Sequence, residues 1–264
     1  MYRGFDLDLK NENVSRFYDR GKTIYDALKR TTESSLDQFI NATGEINGSD
    51  LQAHWFPNIK ADIFVSHSHN DLDMAIAFAG WLQDKFGLSC FIDSCVWGYC
   101  DQLQKRIDER FTRNEGAETY NYEKRNYSTS HVHMMLSVAL TQMIDRCECL
   151  FFLNTPASIS AENVVEQSTF SPWIYAEIAT AKHIEKRIPK RLRTSVIKSF
   201  SATELRSLNE GEQLRVRYQL DLGHLTKVHV DQMITWEKAF AELANERDAL
   251  KLLYDNHQVN HIRS

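Results

Sequence analysis

ADIFVSHSHNDLDMAIAFAGWLQDKFGLSCFID (61–93) decides the fold. Asp62-Ile63-Phe64-Val65-Ser66 is a short apolar run closed by the polar turn His67-Ser68-His69-Asn70, which reads as a buried strand. Leu72, Ala75, Ile76, Ala79, Leu82 and Phe86 then recur at three and four, the stripe of an amphipathic helix. Gly87 stands where such a helix ends, and Leu88-Ser89-Cys90-Phe91-Ile92 supplies a second strand at once. The unit is βαβ, so its two strands are parallel and its crossover right-handed.

Downstream the alternation continues. Cys149-Leu150-Phe151-Phe152-Leu153 has no polar residue to turn toward water, which predicts a central strand. Val132, Met135, Leu136, Ala139, Leu140 and Met143 predict the helix before it, capped from Ser128-Thr129-Ser130. Residues 94–127 read as loops with a short helix. Further strands are predicted at Ser195-Val196-Ile197 and across Val216-Tyr218-Leu220-Leu222, and a closing helix over 230–254. Upstream, Val14, Phe17, Tyr18, Ile24, Tyr25 and Leu28 predict helices, and NATGEINGSD (41–50) separates them from the rest. The fold class is therefore α/β, a flavodoxin-like parallel sheet of about five strands flanked by helices. It is expected over 55–264, with 1–54 as an N-terminal helical extension.

Thirty-one basic and 36 acidic side chains in 264 residues leave a net charge of −5, which argues against a nucleic-acid binder held by bulk charge. No apolar run reaches the roughly 20 residues of a membrane span, and MYRGFDLDLKNEN lacks the core of a secretory signal. Five cysteines without C-x-x-C spacing read as free thiols in a reducing, cytoplasmic compartment. His131 and His133 look like a metal pair, but on a helix they point about 200° apart, so no metal is expected. Gly21-Lys22-Thr23 lacks the first glycine and the strand-loop context of a phosphate-binding loop.

In an open parallel sheet, ligands bind beyond the carboxyl ends of the strands. This points to the turn carrying Ser66, His67 and Ser68, to the segment from Asp93 through Trp97, and to the helix that begins near Ser171. There Ser171 is a good N-cap and Pro172 suits the first turn. Trp173 and Glu177 lie 40° apart on one face, with Ile174, Ile178 and Ala181 on the adjacent face. A carboxylate is thus set beside an indole at the ligand end of the sheet.

ADIFVSHSHNDLD (61–73), FID (91–93), CLFFLNT (149–155) and SPWIYAEIATAK (171–182) together resemble the Toll/interleukin-1 receptor (TIR) domain family, in particular its members that cleave NAD. The resemblance covers roughly 60–264; the loop after Asp93 departs from the family's glycine-bearing loop. It implies that Glu177 is the catalytic residue; Trp173, Ser66, His67, Ser68, Asp93 and Trp97, placed at the same end of the sheet, are the candidate substrate-binding residues. It implies NAD as substrate with no cofactor, self-association through the TIR domain, and an ADP-ribose-derived product, linear or cyclic. In Thoeris-type bacterial antiphage defence a separate effector reads that product. Two other readings stay open: a non-enzymatic TIR assembly module, and an enzyme like the nucleoside deoxyribosyltransferases.

Overall fold

The computed structural model describes residues 1–29, 36–56, 59–159, 167–192, 217–243 and 248–257. Five parallel strands form the central sheet: β1 (Arg3–Asp8), β2 (Ile63–Ser66), β3 (Cys90–Ile92), β4 (Cys149–Leu153) and β7 (Thr226–His229), in the order β3-β2-β4-β1-β7. Two further strands, β5 (Ser168–Thr169) and β6 (Tyr218–Gln219), make a separate antiparallel ladder. This is the α/β sheet flanked by helices that the sequence predicts.

The N-terminal segment corrects the expectation of a helical extension. β1 lies between β4 and β7 with parallel register to both, so the first eight residues belong inside the sheet. Its Phe5 and Leu7 are fully buried, while Asp6 and Asp8 between them break the apolar run that marks the other central strands. The helices α1 (Asn11–Val14) and α2 (Tyr18–Lys29) follow, and α3 (Gly48–Trp55) is capped by Asn47, whose side chain accepts from the Asp50 amide.

Helix α4 (Leu72–Phe86) ends where predicted, with Gly87 at φ 69° in the left-handed region that glycine adopts without penalty. Helix α2 lies on it at a Gly–Gly crossing: a Cβ on Gly21 would stand 1.8 Å from the Ile76 carbonyl oxygen, and one on Gly80 would stand 2.3 Å from that of Phe17. Gly21-Lys22-Thr23 is thus a helix contact. The expected loops after residue 93 are instead α5 (Ser94–Ile107), continued by a wide turn over 108–112. Helix α6 (Tyr122–Arg146) starts earlier than predicted, on Asn121, and Ser128 inside it donates to Asp108. α7 (Pro172–His183) has the expected Ser171 cap, accepting from the Ile174 amide. The closing segment is two helices, α8 (Val230–Glu242) and α9 (Ala249–Asn256). The strand expected at 195–197 lies outside the described residues.

Period-two alternation sorts the strands onto two faces. Phe5, Leu7, Ile63, Val65, Phe151 and Val228 form one core with α2, α4, α8 and α9. Phe64, Phe91, Leu150 and Phe152 form the other with α3, α5, α6 and α7. Over β1 and β7 this second face carries Asp6 and its register partner Lys227. Among the described residues no helix is long and apolar enough to cross a membrane.

Candidate functional site

Four polar side chains meet in the interior at the carboxyl ends of β2 and β3. Ser66 is the last residue of β2, His67 follows it, Asp93 follows β3, and Glu177 comes from α7; each is at most 1 % exposed. On α7 the buried positions are Ile174, Glu177, Ile178 and Ala181, spaced i, i+3, i+4, i+7. Glu177 therefore sits within the apolar stripe and is carried into the core by its neighbours' packing. The short β5–β6 ladder and the bond from the Ser171 amide to Thr169 Oγ1 fix where this helix starts.

Ser66 Oγ donates to Glu177 Oε2 at 2.6 Å. Asp93 Oδ1 accepts from the Ser94 amide at 2.7 Å, capping α5, and lies 2.6 Å from His67 Nδ1. The remaining oxygens, Glu177 Oε1 and Asp93 Oδ2, are buried without an N–H or O–H donor among the described residues, and the two carboxyls bear on each other. Two acids in one dry pocket cannot both ionise cheaply. Burial, and for Glu177 the adjacent Asp93 charge, push both carboxyls above the usual carboxylate range. Burial pushes the His67 imidazole down to about 4, against the attraction of Glu177 and Asp71. At neutral pH His67 is therefore uncharged, and the titrating protons of the cluster sit on its carboxyls.

The other residues singled out by sequence fall elsewhere. Ser68 is buried and its carbonyl accepts from the Asp71 amide, while His69 is exposed. Trp173 is half-buried at the α6–α7 seam, with its ring edge-on to His133 at 5.7 Å, so its recorded ring partner is an imidazole outside the acid cluster. Trp97 falls in α5, and its side chain lies outside the described residues. His131 packs on Tyr127, apart from His133, and no group of three metal-ligating side chains occurs among the described residues. The five cysteines are buried and in no disulfide; burial raises Cys100 and Cys147 to about 12, which leaves them unreactive.

Sequence reading places Asp93 and Glu177 in two different walls of one pocket. It misses that they touch, because a carboxyl pair between a strand end and a later helix has no spacing signature. Chemically, the cluster is an oriented carboxyl with a hydroxyl donor on one oxygen and a second acid on the other. No protein-family model, curated protein or solved structure matches the chain.

Proposed function

We propose that the chain is a TIR-like enzyme that cleaves the nicotinamide–ribose bond of NAD, with Glu177 as the carboxylate that meets the ribose C1′. The observation that carries this reading is the burial of Glu177 beside a second acid, Asp93, at the ligand end of a parallel sheet. As a packing element such a pair is a poor choice: apolar side chains of similar volume stabilise a core at least as well. Acids pushed far from their ordinary range in this position are a mark of chemistry.

In the reaction the C1′–N bond breaks with its electron pair leaving on neutral nicotinamide. C1′ becomes electron-poor, and an ionised Glu177 held by Ser66 stabilises it. The substrate's cationic ring favours that ionised form, so that Glu177 gives up its proton to solvent as substrate binds. Addition of water at C1′, with loss of one proton, gives ADP-ribose; addition of an adenine nitrogen gives a cyclic isomer. Glu177 is closed off in the free protein, so substrate selects an opened form of the site. Five cysteines outside any disulfide support a reducing, cytoplasmic setting, and a soluble signal in bacterial antiphage immunity is the role this chemistry suits.

Incubating the purified protein with NAD and, separately, with deoxynucleosides, and resolving products by mass, tests this. Nicotinamide release that is lost in Glu177→Gln is the expected result. A variant as active as the parent overturns the assignment. Turnover of deoxynucleosides with NAD untouched moves the chain to nucleoside transfer, and no turnover of either favours an assembly module.

A further inference from the structure

A cavity of about 360 Å³ opens over the carboxyl ends of β1, β4 and β7, lined by Asp6, Asp8, Asn154, Ile159, Lys227 and His229, among others. Strand register places it on the same face of the sheet as the acid pair: Ser66 is opposite Phe152, Phe152 opposite Asp6, and Asp6 opposite Lys227. Two strand spacings, about 10 Å, separate Ser66 from Asp6.

Asp6 gives the cavity its chemistry. It is 4 % exposed, and its Oδ1 accepts from Asn154 Nδ2 at 2.8 Å. One Asn154 bond leaves this largely buried carboxyl with acceptor capacity to spare, and it lines a cavity large enough to admit a further donor. Lys227 stands exposed at the rim, within reach to influence Asp6 electrostatically but in no ion pair among the described residues. Thr155 Oγ1 in the same wall donates to Asp71 Oδ2 at 2.5 Å, tying this cavity to the turn that follows β2.

We propose that this cavity binds a ribosyl phosphate, its vicinal diol donating to Asp6 and its phosphate resting on Lys227, and that it holds the adenylate half of the dinucleotide cleaved at Glu177. A buried acceptor beside a rim cation matches hydroxyls and phosphate on one ligand, and the span between Asp6 and Ser66 is one that two riboses joined by pyrophosphate can cover. The assignment of the adenylate half rests on the NAD-cleaving reading; the ribosyl phosphate site does not.

AMP binding measured by calorimetry tests the site without turnover. AMP is expected to bind, with 2′-deoxy-AMP, inorganic phosphate, Asp6→Asn and Lys227→Ala each weaker by about tenfold or more. Lys105→Ala, a charge change on exposed α5, is expected to leave AMP affinity unchanged. No AMP binding, or full affinity in both cavity variants, overturns the site. NAD cleavage without AMP binding sinks the site and spares the enzyme reading, whereas AMP binding without NAD cleavage does the reverse. AMP that binds but does not inhibit NAD cleavage overturns the adenylate-half assignment.

Discussion

Ser66 Oγ and Glu177 Oε2 are joined at 2.6 Å across 111 residues of chain, and the hydroxyl favours the ionised form of the acid it touches. Ser66→Ala removes that donor. Glu177 then holds its proton to higher pH, so the acidic limb of the pH–rate profile for NAD cleavage is expected to move upward. The orphaned oxygen costs about 1–3 kcal/mol of stability, readable by urea denaturation. An unmoved limb would leave Ser66 with packing alone.

Glu177→Gln keeps the side-chain shape, and its amide can accept from Ser66 and donate to Asp93 Oδ2. The variant should lose about 10²–10³-fold in NAD cleavage, the scale of removing one preorganised electrostatic group. Its melting temperature is expected to stay at or above the parent's, because a buried ionisable group has been replaced by a neutral one. Lost activity with a collapsed melting temperature would assign Glu177 to structure.

Asp93→Asn removes one of the two titrating acids of the pair. In the unfolded chain Asp93 releases its proton at the ordinary 3.8, and in the folded protein burial pushes it up to about 8. Across that window the folded state holds the extra proton, so its stabilisation is complete below about 4 and is lost as pH rises through 8. His67 works oppositely between 6.5 and about 4, where the unfolded imidazole takes up the proton. Above pH 6.5 the His67 contribution is gone, and the parent and Asp93→Asn share the contributions of the Met1 amine and Glu177, so their difference isolates Asp93. There the parent's melting temperature should fall with rising pH, while Asp93→Asn stays flatter and ends a few degrees higher at pH 8. Parallel curves would rule out the raised Asp93 carboxyl.

The parts of this architecture visible in the sequence are those in which one apolar pattern dominates. Strand β2, helix α4 with its Gly87 stop, β4, and the Ser171-capped α7 all follow from local periodicity and caps. Strand β1 does carry alternation, in Phe5 and Leu7, but aspartates at 6 and 8 are poor strand formers, and their role appears only once β7 sets Lys227 and His229 across from them. Helix α5 is hidden by the mixed run Cys95-Val96-Trp97-Gly98-Tyr99, and its cap, Asp93, also belongs to the acid cluster. Glu177 was legible as a helix position. Its burial was not, since that depends on which side of α7 meets the sheet.

The crossing of α2 on α4 makes two glycines irreplaceable for reasons of space. Gly21→Ala would drive a Cβ into the Ile76 carbonyl oxygen, and that atom is backbone and cannot swing aside. The two helices must part, at an expected cost of about 1–3 kcal/mol or more, measured as a lowered urea midpoint. Gly87→Ala, with open space around its Cβ, pays only for the left-handed backbone and should cost about 1 kcal/mol. Equal losses at the two positions would remove the steric argument.

Deleting residues 1–8 tests the sheet order directly. If these residues were an accessory arm, the remainder would keep its core and stay monodisperse. Because β1 lies between β4 and β7, its removal strips Phe5 and Leu7 from the first core, opens a hydrogen-bonding edge on central β4, and leaves β7 without its partner. Unpaired edges of apolar strands recruit other chains, so the truncated protein is expected to aggregate, with light scattering rising and the cooperative thermal transition lost. Supplying a synthetic peptide of residues 1–10 during refolding should restore part of the soluble fraction, since the missing strand contributes its own ladder on both sides. A truncated chain that melts like the parent would show that β4 and β7 can close the sheet without it.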